Sequence, residues 1–183
     1  MMNDAAISLT INMRKLWSDH VIWTRLYIIP AVTTPPASDT DAAAGRLLKN
    51  QEDIGNAIVP YYGKDAGQKL TDLLKQHIMI AVDLIAAAKS GDQKKFESED
   101  KKWINNAEDI ATFLSSANPN WPRKDVVDLL NLHLSLTKGE VVARLNKKWD
   151  DDIKAFDDIF TEILTVSDTL SEGIIKQFPD KFR

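Results

Sequence analysis

The sequence predicts an all-α protein: an up-and-down antiparallel bundle of about six helices, with no sheet. Three observations carry that reading. Apolar residues recur by threes and fours through most of the chain, the period of a helix with one buried face. Seven glycines and seven prolines fall mostly between those periodic segments, where breaks belong. No stretch alternates apolar and polar residues around a hairpin turn, as a half-buried strand would. Short connections between long amphipathic helices favour antiparallel neighbours. The 183 residues suit one domain over 1–183, large enough to bury a core without disulfide or metal staples.

The first helix spans about 7–32, with Met13, Leu16, Trp17, His20, Thr24, Tyr27 and Ala31 on one face. Pro30 lies inside this pattern and should kink or end it, because proline removes a backbone donor. Residues 33–38 read as a turn. Ser38 or Asp39 caps the second helix, since their side-chain oxygens accept from orphan N–H groups. That helix carries Ala44, Leu47, Gln51, Ile54 and Ile58 and ends before Pro60. The third, about 65–89, carries Leu70, Leu73, Leu74, His77, Ile80, Ala81 and Leu84, and Gly91 ends it in the left-handed conformation. Asp92 caps the fourth, whose face is Phe96, Trp103, Asn106, Ile110 and Phe113. The fifth begins near Pro122, tolerated in a first turn, and carries Val126, Leu129, Leu130, His133, Leu136, Thr137 and Val141, with Gly139 as its weak point. Residues 147–152 join it to the sixth, which carries Phe156, Ile159, Phe160, Ile163, Ser167, Leu170 and Ile174 and stops at Pro179.

Composition removes whole classes of function. Apolar residues at 44% and charged residues at 27% are ordinary for a globular chain and exclude disorder and fibrous repeats. The chain has no cysteine, which excludes disulfides, thiolate metal sites, iron–sulfur clusters and a cysteine nucleophile. A formal charge of −4 and an isoelectric point near 5.4 argue against a nucleic-acid surface. The most apolar stretch, 21–32, is interrupted by Arg25 and Pro30 and is shorter than the roughly 20 residues a membrane span needs. The N-terminal residues lack a cationic start followed by an apolar block. A soluble, cytoplasmic protein is the expectation. The sequence contains no G-x-S-x-G, Walker A or Rossmann fingerprint.

One polar pattern stands out. The chain has three histidines, His20, His77 and His133, and each falls mid-helix on the apolar face of an odd-numbered helix. In the even helices, Asn50-Gln-Glu-Asp-Ile-Gly55 echoes Asn106-Ala-Glu-Asp-Ile-Ala111. If the helices alternate in direction, the odd three run parallel and their histidines lie about 15–20 Å along each axis. Asn106 and either Asn50 or Gln51 fall at a comparable level, and the sixth helix offers Ser167 and, at the edge of its apolar face, Glu162. The pattern predicts one polar layer across an apolar bundle. Each unpartnered polar group in such a layer costs on the order of 1–3 kcal/mol, so the layer must be satisfied by itself, water, a metal or a ligand.

Three readings follow. In the first, the layer is a hydrogen-bonded network, including Thr24 and Thr137, that sets helix register in a non-catalytic structural or protein-interaction bundle. In the second, His20, His77 and His133 are ligands of a divalent metal such as zinc, iron or manganese, with Gln51 and Asn106 as amides that steady the imidazoles or face a substrate. Glu162, Glu108, Asp53 or Asp109 would add a carboxylate. In the third, Trp23, Tyr27 and Trp103 join His20, Gln51, Asn106 and Glu162 in lining a pocket for a small organic ligand. Other charges, including Arg14, Lys15, Arg25 and the run Asp150-Asp-Asp152, read as solvated faces. Lone rows of one histidine per helix match neither Glu-x-x-His di-metal spacing nor His-Glu-x-x-His.

The stretches Leu16-Trp-Ser-Asp-His-Val-Ile-Trp-Thr-Arg25, Leu47-Leu-Lys-Asn-Gln-Glu-Asp-Ile-Gly55 and Gly173-Ile-Ile-Lys-Gln-Phe-Pro-Asp-Lys-Phe182 together resemble a family of uncharacterised bacterial and archaeal proteins of similar length. The resemblance covers most of the chain and brings no activity with it. In architecture alone the helix count is similar to DinB-like, hemerythrin-like and ferritin-like bundles, and fold similarity does not transfer function. The functional expectation is therefore a divalent metal or a small metal-associated ligand held at the polar layer, with no reaction assigned. The partners expected are a small-molecule ligand and a second copy of the chain in a homodimer, with no nucleic acid and no membrane. No helix reads as apolar on both sides, so no dimer interface is assigned.

Overall fold

A computed structural model describes residues 3–183. Six helices follow one another: α1 (Asp4–Val32), α2 (Thr40–Tyr62), α3 (Lys64–Ser90), α4 (Gln93–Ala117), α5 (Arg123–Leu145) and α6 (Trp149–Gln177), with a short 3-10 turn at Pro179–Phe182. Each helix packs on the next and α6 returns to α1, closing the up-and-down bundle into a ring. The odd helices α1, α3 and α5 also touch one another, so they form the interior and run parallel. Among the described residues there is no strand, and no helix is long and apolar enough to cross a membrane.

The helix limits show which local signals act. The side chain of Asn3 accepts from the Ala6 amide at 3.0 Å and starts α1, and Asp92 does the same for α4 through Lys95 at 2.9 Å. Asp39 stands at the N-cap of α2 but makes no side-chain cap bond. Its φ of −91° and ψ of 0° are helical rather than extended, so the carboxylate is not presented to the first-turn amides. α1 ends at Val32, the limit read from the sequence, with Pro30 in its last turn, whereas Pro60 does not end α2 where the sequence suggests. α1 continues to Val32 and α2 to Tyr62, because a proline in the last turn removes only one of its own bonds. The Gly63 amide still reaches Val59 at 2.9 Å. Gly139 does not split α5: it is exposed, and a lone exposed glycine costs only about 1 kcal/mol. Gly63 alone connects α2 to α3, at φ +85°, a conformation that a side chain would strain.

Two close approaches set the helix packing. At Gly55 an added Cβ would lie 2.0 Å from Thr71 Oγ1 and 2.6 Å from the Gly67 carbonyl, so α2 and α3 cross there backbone to backbone. At Gly173 an added Cβ would lie 2.0 Å from the indole nitrogen of Trp121. That indole, buried in the loop after α4, donates to the Thr169 carbonyl at 3.1 Å. It closes one end of the bundle together with Tyr62, Asn118 and Gln177, whose side chains bond one another in series.

The opposite end differs from the sequence expectation. Arg25 and Asp152 are not on a solvated face. Asp152 and Glu140 side chains are 1% exposed, and Arg25 Nη1 donates to Glu140 at 2.5 Å and to Asp152 at 3.0 Å. Arg144 donates to Asp152 at 2.9 Å. Asp150 and Asp151 are exposed, as are Arg14 and Lys15. The cluster ties α1, α5 and α6 together at the carboxyl ends of the odd helices.

Candidate functional site

The three histidines reach the interior from α1, α3 and α5 and are nearly inaccessible, at 3–5% exposure. His133 stands beside both of the others: its ring centroid lies 5.5 Å from that of His20 and 6.2 Å from that of His77. The polar layer is therefore one level of the fold rather than three separate polar contacts.

Each imidazole is held by a residue on the next helix in the chain. His20 Nδ1 is 3.2 Å from Gln51 Oε1, His77 Nδ1 is 2.8 Å from Asn106 Oδ1, and His133 Nδ1 is 3.0 Å from Glu162 Oε2. The α1–α2, α3–α4 and α5–α6 hairpins thus repeat one construction. Backbone carbonyls decide which way the amides face. The Asn106 amide nitrogen donates to the Leu73 carbonyl at 3.1 Å, which leaves its oxygen to accept from His77. In the first hairpin the Asn50 nitrogen donates to the Leu16 carbonyl at 2.9 Å, and the Gln51 nitrogen donates to Leu47 and to Asn50 Oδ1. Gln51 Oε1 must then accept. A carboxylate at Glu162 can only accept. All three rings consequently carry a proton on Nδ1, and the neutral rings of His20 and His77 have a bare lone pair on Nε2. Among the described residues no hydrogen bond of these rings involves Nε2.

Electrostatics keeps His20 and His77 neutral. Burial pushes the His77 pKa down to about 3, helped by the nearby His133, against the bond to Asn106. Burial also drives His20 well below the ordinary imidazole value, with His133 and His77 adding to the effect. Thr24 and Thr137 do not join the layer side chain to side chain; each hydroxyl donates one turn back to the carbonyl of His20 or His133.

The aromatic residues divide. Trp103 packs on His77 at 5.1 Å, and Trp17, placed by the sequence on the His20 face but not among the pocket residues, packs on His20 at 5.7 Å. Both indole nitrogens are buried without a hydrogen-bond partner, as are Glu162 Oε1 and Ser167 Oγ. Trp23 is half-buried under the Arg46 guanidinium at 5.2 Å. Tyr27 belongs to a second apolar cluster with Ile28, Leu47, Ile78 and Ile85, and lines a surface groove of about 620 Å³ with Pro36, Asp41 and Lys89. Of the carboxylates considered, Glu162 alone is at the layer. Glu108 pairs with Arg123, Asp53 pairs with Lys49 at 2.9 Å, and Asp109 is exposed.

Sequence reasoning missed two parts of this region. One is the role of Asn50, which orients Gln51; the signal was the even spacing of Asn50, Asn106 and Glu162, each 56 residues from the next. The other is Glu140, two turns past His133 on the same face and therefore a buried carboxylate.

Among the described residues no group of three or more histidine, aspartate or glutamate side chains is arranged to hold a metal ion as placed. The spacing agrees with that. Three imidazoles bonded through Nε2 at about 2.0–2.1 Å bring their ring centroids about 5 Å apart, and the centroids here are 5.5 and 6.2 Å apart. Comparisons with protein-family models, with curated proteins and with solved structures find no match to this chain.

Proposed function

We propose that the chain binds one divalent transition-metal ion through the Nε2 atoms of His20, His77 and His133. The observation that carries this reading is the common orientation of the rings. Three imidazoles from three helices have Nδ1 committed to an oxygen acceptor, which leaves Nε2 of each ring as the atom a metal would meet. Metal-ligating histidines are characteristically oriented in this way by a carboxylate or carbonyl on the other ring nitrogen. Water or protein donors would otherwise have to satisfy the buried lone pairs of His20 and His77.

An all-nitrogen donor set suits zinc or ferrous iron better than manganese, which prefers oxygen. Gln51, Asn106 and Glu162 fix the rings, and the Glu162 carboxylate would place one negative charge beside the ion. Three protein ligands leave a fourth position for water or a small ligand, where such an ion supplies Lewis acidity. Trp17 and Trp103 pack on two of the ligand rings and exclude bulk water from them.

The register-setting network is the second reading, favoured by the absence, among the described residues, of a side-chain group arranged for a metal. Elemental analysis of protein purified without an affinity tag separates the two. The metal reading expects one equivalent of metal, lost in His77→Ala, and a melting temperature that falls with chelator, because binding to the folded state alone adds stability. Cobalt loading should give the visible bands of a four-coordinate site. Metal-free protein that ignores both chelator and added zinc or cobalt, yet is destabilised by His77→Ala, leaves the network reading in its place.

A further inference from the structure

At the carboxyl ends of the odd helices a pocket of about 430 Å³ lies between the residues that follow α1 and the link from α5 to α6. Lys89, Arg144 and Lys147 line it, and no carboxylate does, although the chain as a whole carries a formal charge of −4. Val32, Leu145 and the exposed Trp149 supply the apolar part of the lining. Val32, Lys89 and Leu145 each stand 12 residues beyond the histidine of their own helix. The pocket is therefore about 18 Å from the histidine layer and separate from it.

Each cation has bonding capacity to spare. Lys89 gives two of its three N–H groups to the carbonyls of Ala31 and Thr33, at 2.8 and 2.6 Å, and keeps the third. Arg144 donates Nη1 to Asp152 at 2.9 Å and lies over the Trp149 ring at 5.0 Å. Among the described residues its other guanidinium nitrogens make no bond. Lys147 ends α5 in the left-handed conformation, at φ +57°, where glycine is the ordinary residue. Its side chain is exposed and, among the described residues, makes neither a hydrogen bond nor an ion pair. The carbonyls that end α5 do not oppose an anion, because those of Val142, Ala143 and Arg144 accept from the amides of residues 146–148. Trp149 opens α6, whose N-cap, Lys148, makes no side-chain cap bond, so a positive helix end meets the same pocket.

We infer that this pocket binds a small phosphate monoester with a flat apolar body. The phosphate takes the free donors of Lys89, Arg144 and Lys147. Lys89 and Lys147 have no carboxylate partner among the described residues, and two uncompensated charges match a phosphate dianion better than a carboxylate. The phosphate alone fills a small part of the pocket, and the body of the ester occupies the rest against Val32, Leu145 and Trp149.

Calorimetric titration with phenyl phosphate tests this on protein stripped of metal by chelator and then dialysed, so that no ion at the histidines holds the phosphate. Phenyl phosphate should bind saturably at one equivalent, and more weakly as salt rises. Inorganic phosphate, benzoate and phenol should each bind at least about tenfold more weakly, since each lacks the body or the dianion. Lys147→Gly should weaken phenyl phosphate at least about tenfold. Its melting temperature should not fall, because glycine suits a positive φ, so loss of binding cannot come from loss of fold. No saturable binding of phenyl phosphate at millimolar concentration, or a Lys147→Gly protein that binds it as well as its parent, would overturn the inference. So would inorganic phosphate, benzoate or phenol binding as tightly as the ester.

Discussion

Replacing Glu140 by glutamine should alter how stability depends on pH more than it alters stability at any one pH. Glu140 is buried beside Arg25, which it shares with Asp152. Burial pushes its pKa from 4.5 up to about 7, with Arg25 pulling against the rise and Asp152 adding to it. Asp152 also suffers burial, but hydrogen bonds from Arg25 and Arg144 outweigh it and hold that carboxyl below its ordinary value. The spare proton of the cluster therefore sits on Glu140. Between the two pKa values the folded chain keeps a proton that the unfolded chain releases, so this group's contribution is complete at low pH and is lost as pH rises through about 7. Integration gives a loss of about 2 kcal/mol between about pH 5 and pH 7. Glutamine cannot ionise, and its oxygen still accepts from Arg25. Urea unfolding followed by far-UV circular dichroism across that range should show the variant gaining about 2 kcal/mol on its parent, at constant denaturant slope. A difference that stays level, or that moves toward the parent as pH rises, would mean that Glu140 is ionised throughout and that the burial argument fails.

His77 acts in the opposite direction. Its folded pKa of about 3 means that acid protonates the unfolded chain first, removing about 2 kcal/mol between about pH 7 and pH 5. Parent stability should be comparatively level there, and the Glu140→Gln protein should slope downward into acid. Proton NMR should find the His77 ring signals unmoved from about pH 8 to pH 4, and an inflection near an ordinary imidazole value would contradict its burial. Gly173→Ala should force a methyl group into the Trp121 indole, which Thr169 holds in place. The expected cost is about 1–3 kcal/mol, or roughly 5 °C in melting temperature. Gly139→Ala meets nothing within 4 Å on an exposed helix surface and should stabilise by about 1 kcal/mol. Equal effects at the two glycines would show that backbone entropy, not the indole contact, governs Gly173.

The fold was largely legible because helical period and break residues are local. His20, His77 and His133 could be placed inward from the same period, since a residue on an apolar face has nowhere else to point. Glu162, at the edge of its face, could be offered only as a candidate, and its bond to His133 depends on how α5 and α6 are rotated against each other. Arg25 and Asp152, two members of the Arg25–Glu140–Asp152–Arg144 cluster, were misread as solvated surface. A charged residue near a helix end is usually in water, and only the meeting of three helix termini buries this one. Trp23 and Trp103 looked equivalent, each three residues from a layer position, yet one covers Arg46 at the surface and the other packs on His77.

By itself, then, the sequence determined what spacing along one chain can encode: six amphipathic rods, their ends, and the faces on which three imidazoles and their amide partners lie. Tertiary structure decided what depends on distances between rods. It brought the three rings to one level, and it let the carbonyls of Leu16, Leu47 and Leu73 choose the tautomers of His20 and His77. The physical reason is range. Helix propensity and period act over three or four residues, whereas a proton's position on a ring is set by an acceptor some thirty residues away in the chain and about 3 Å away in space.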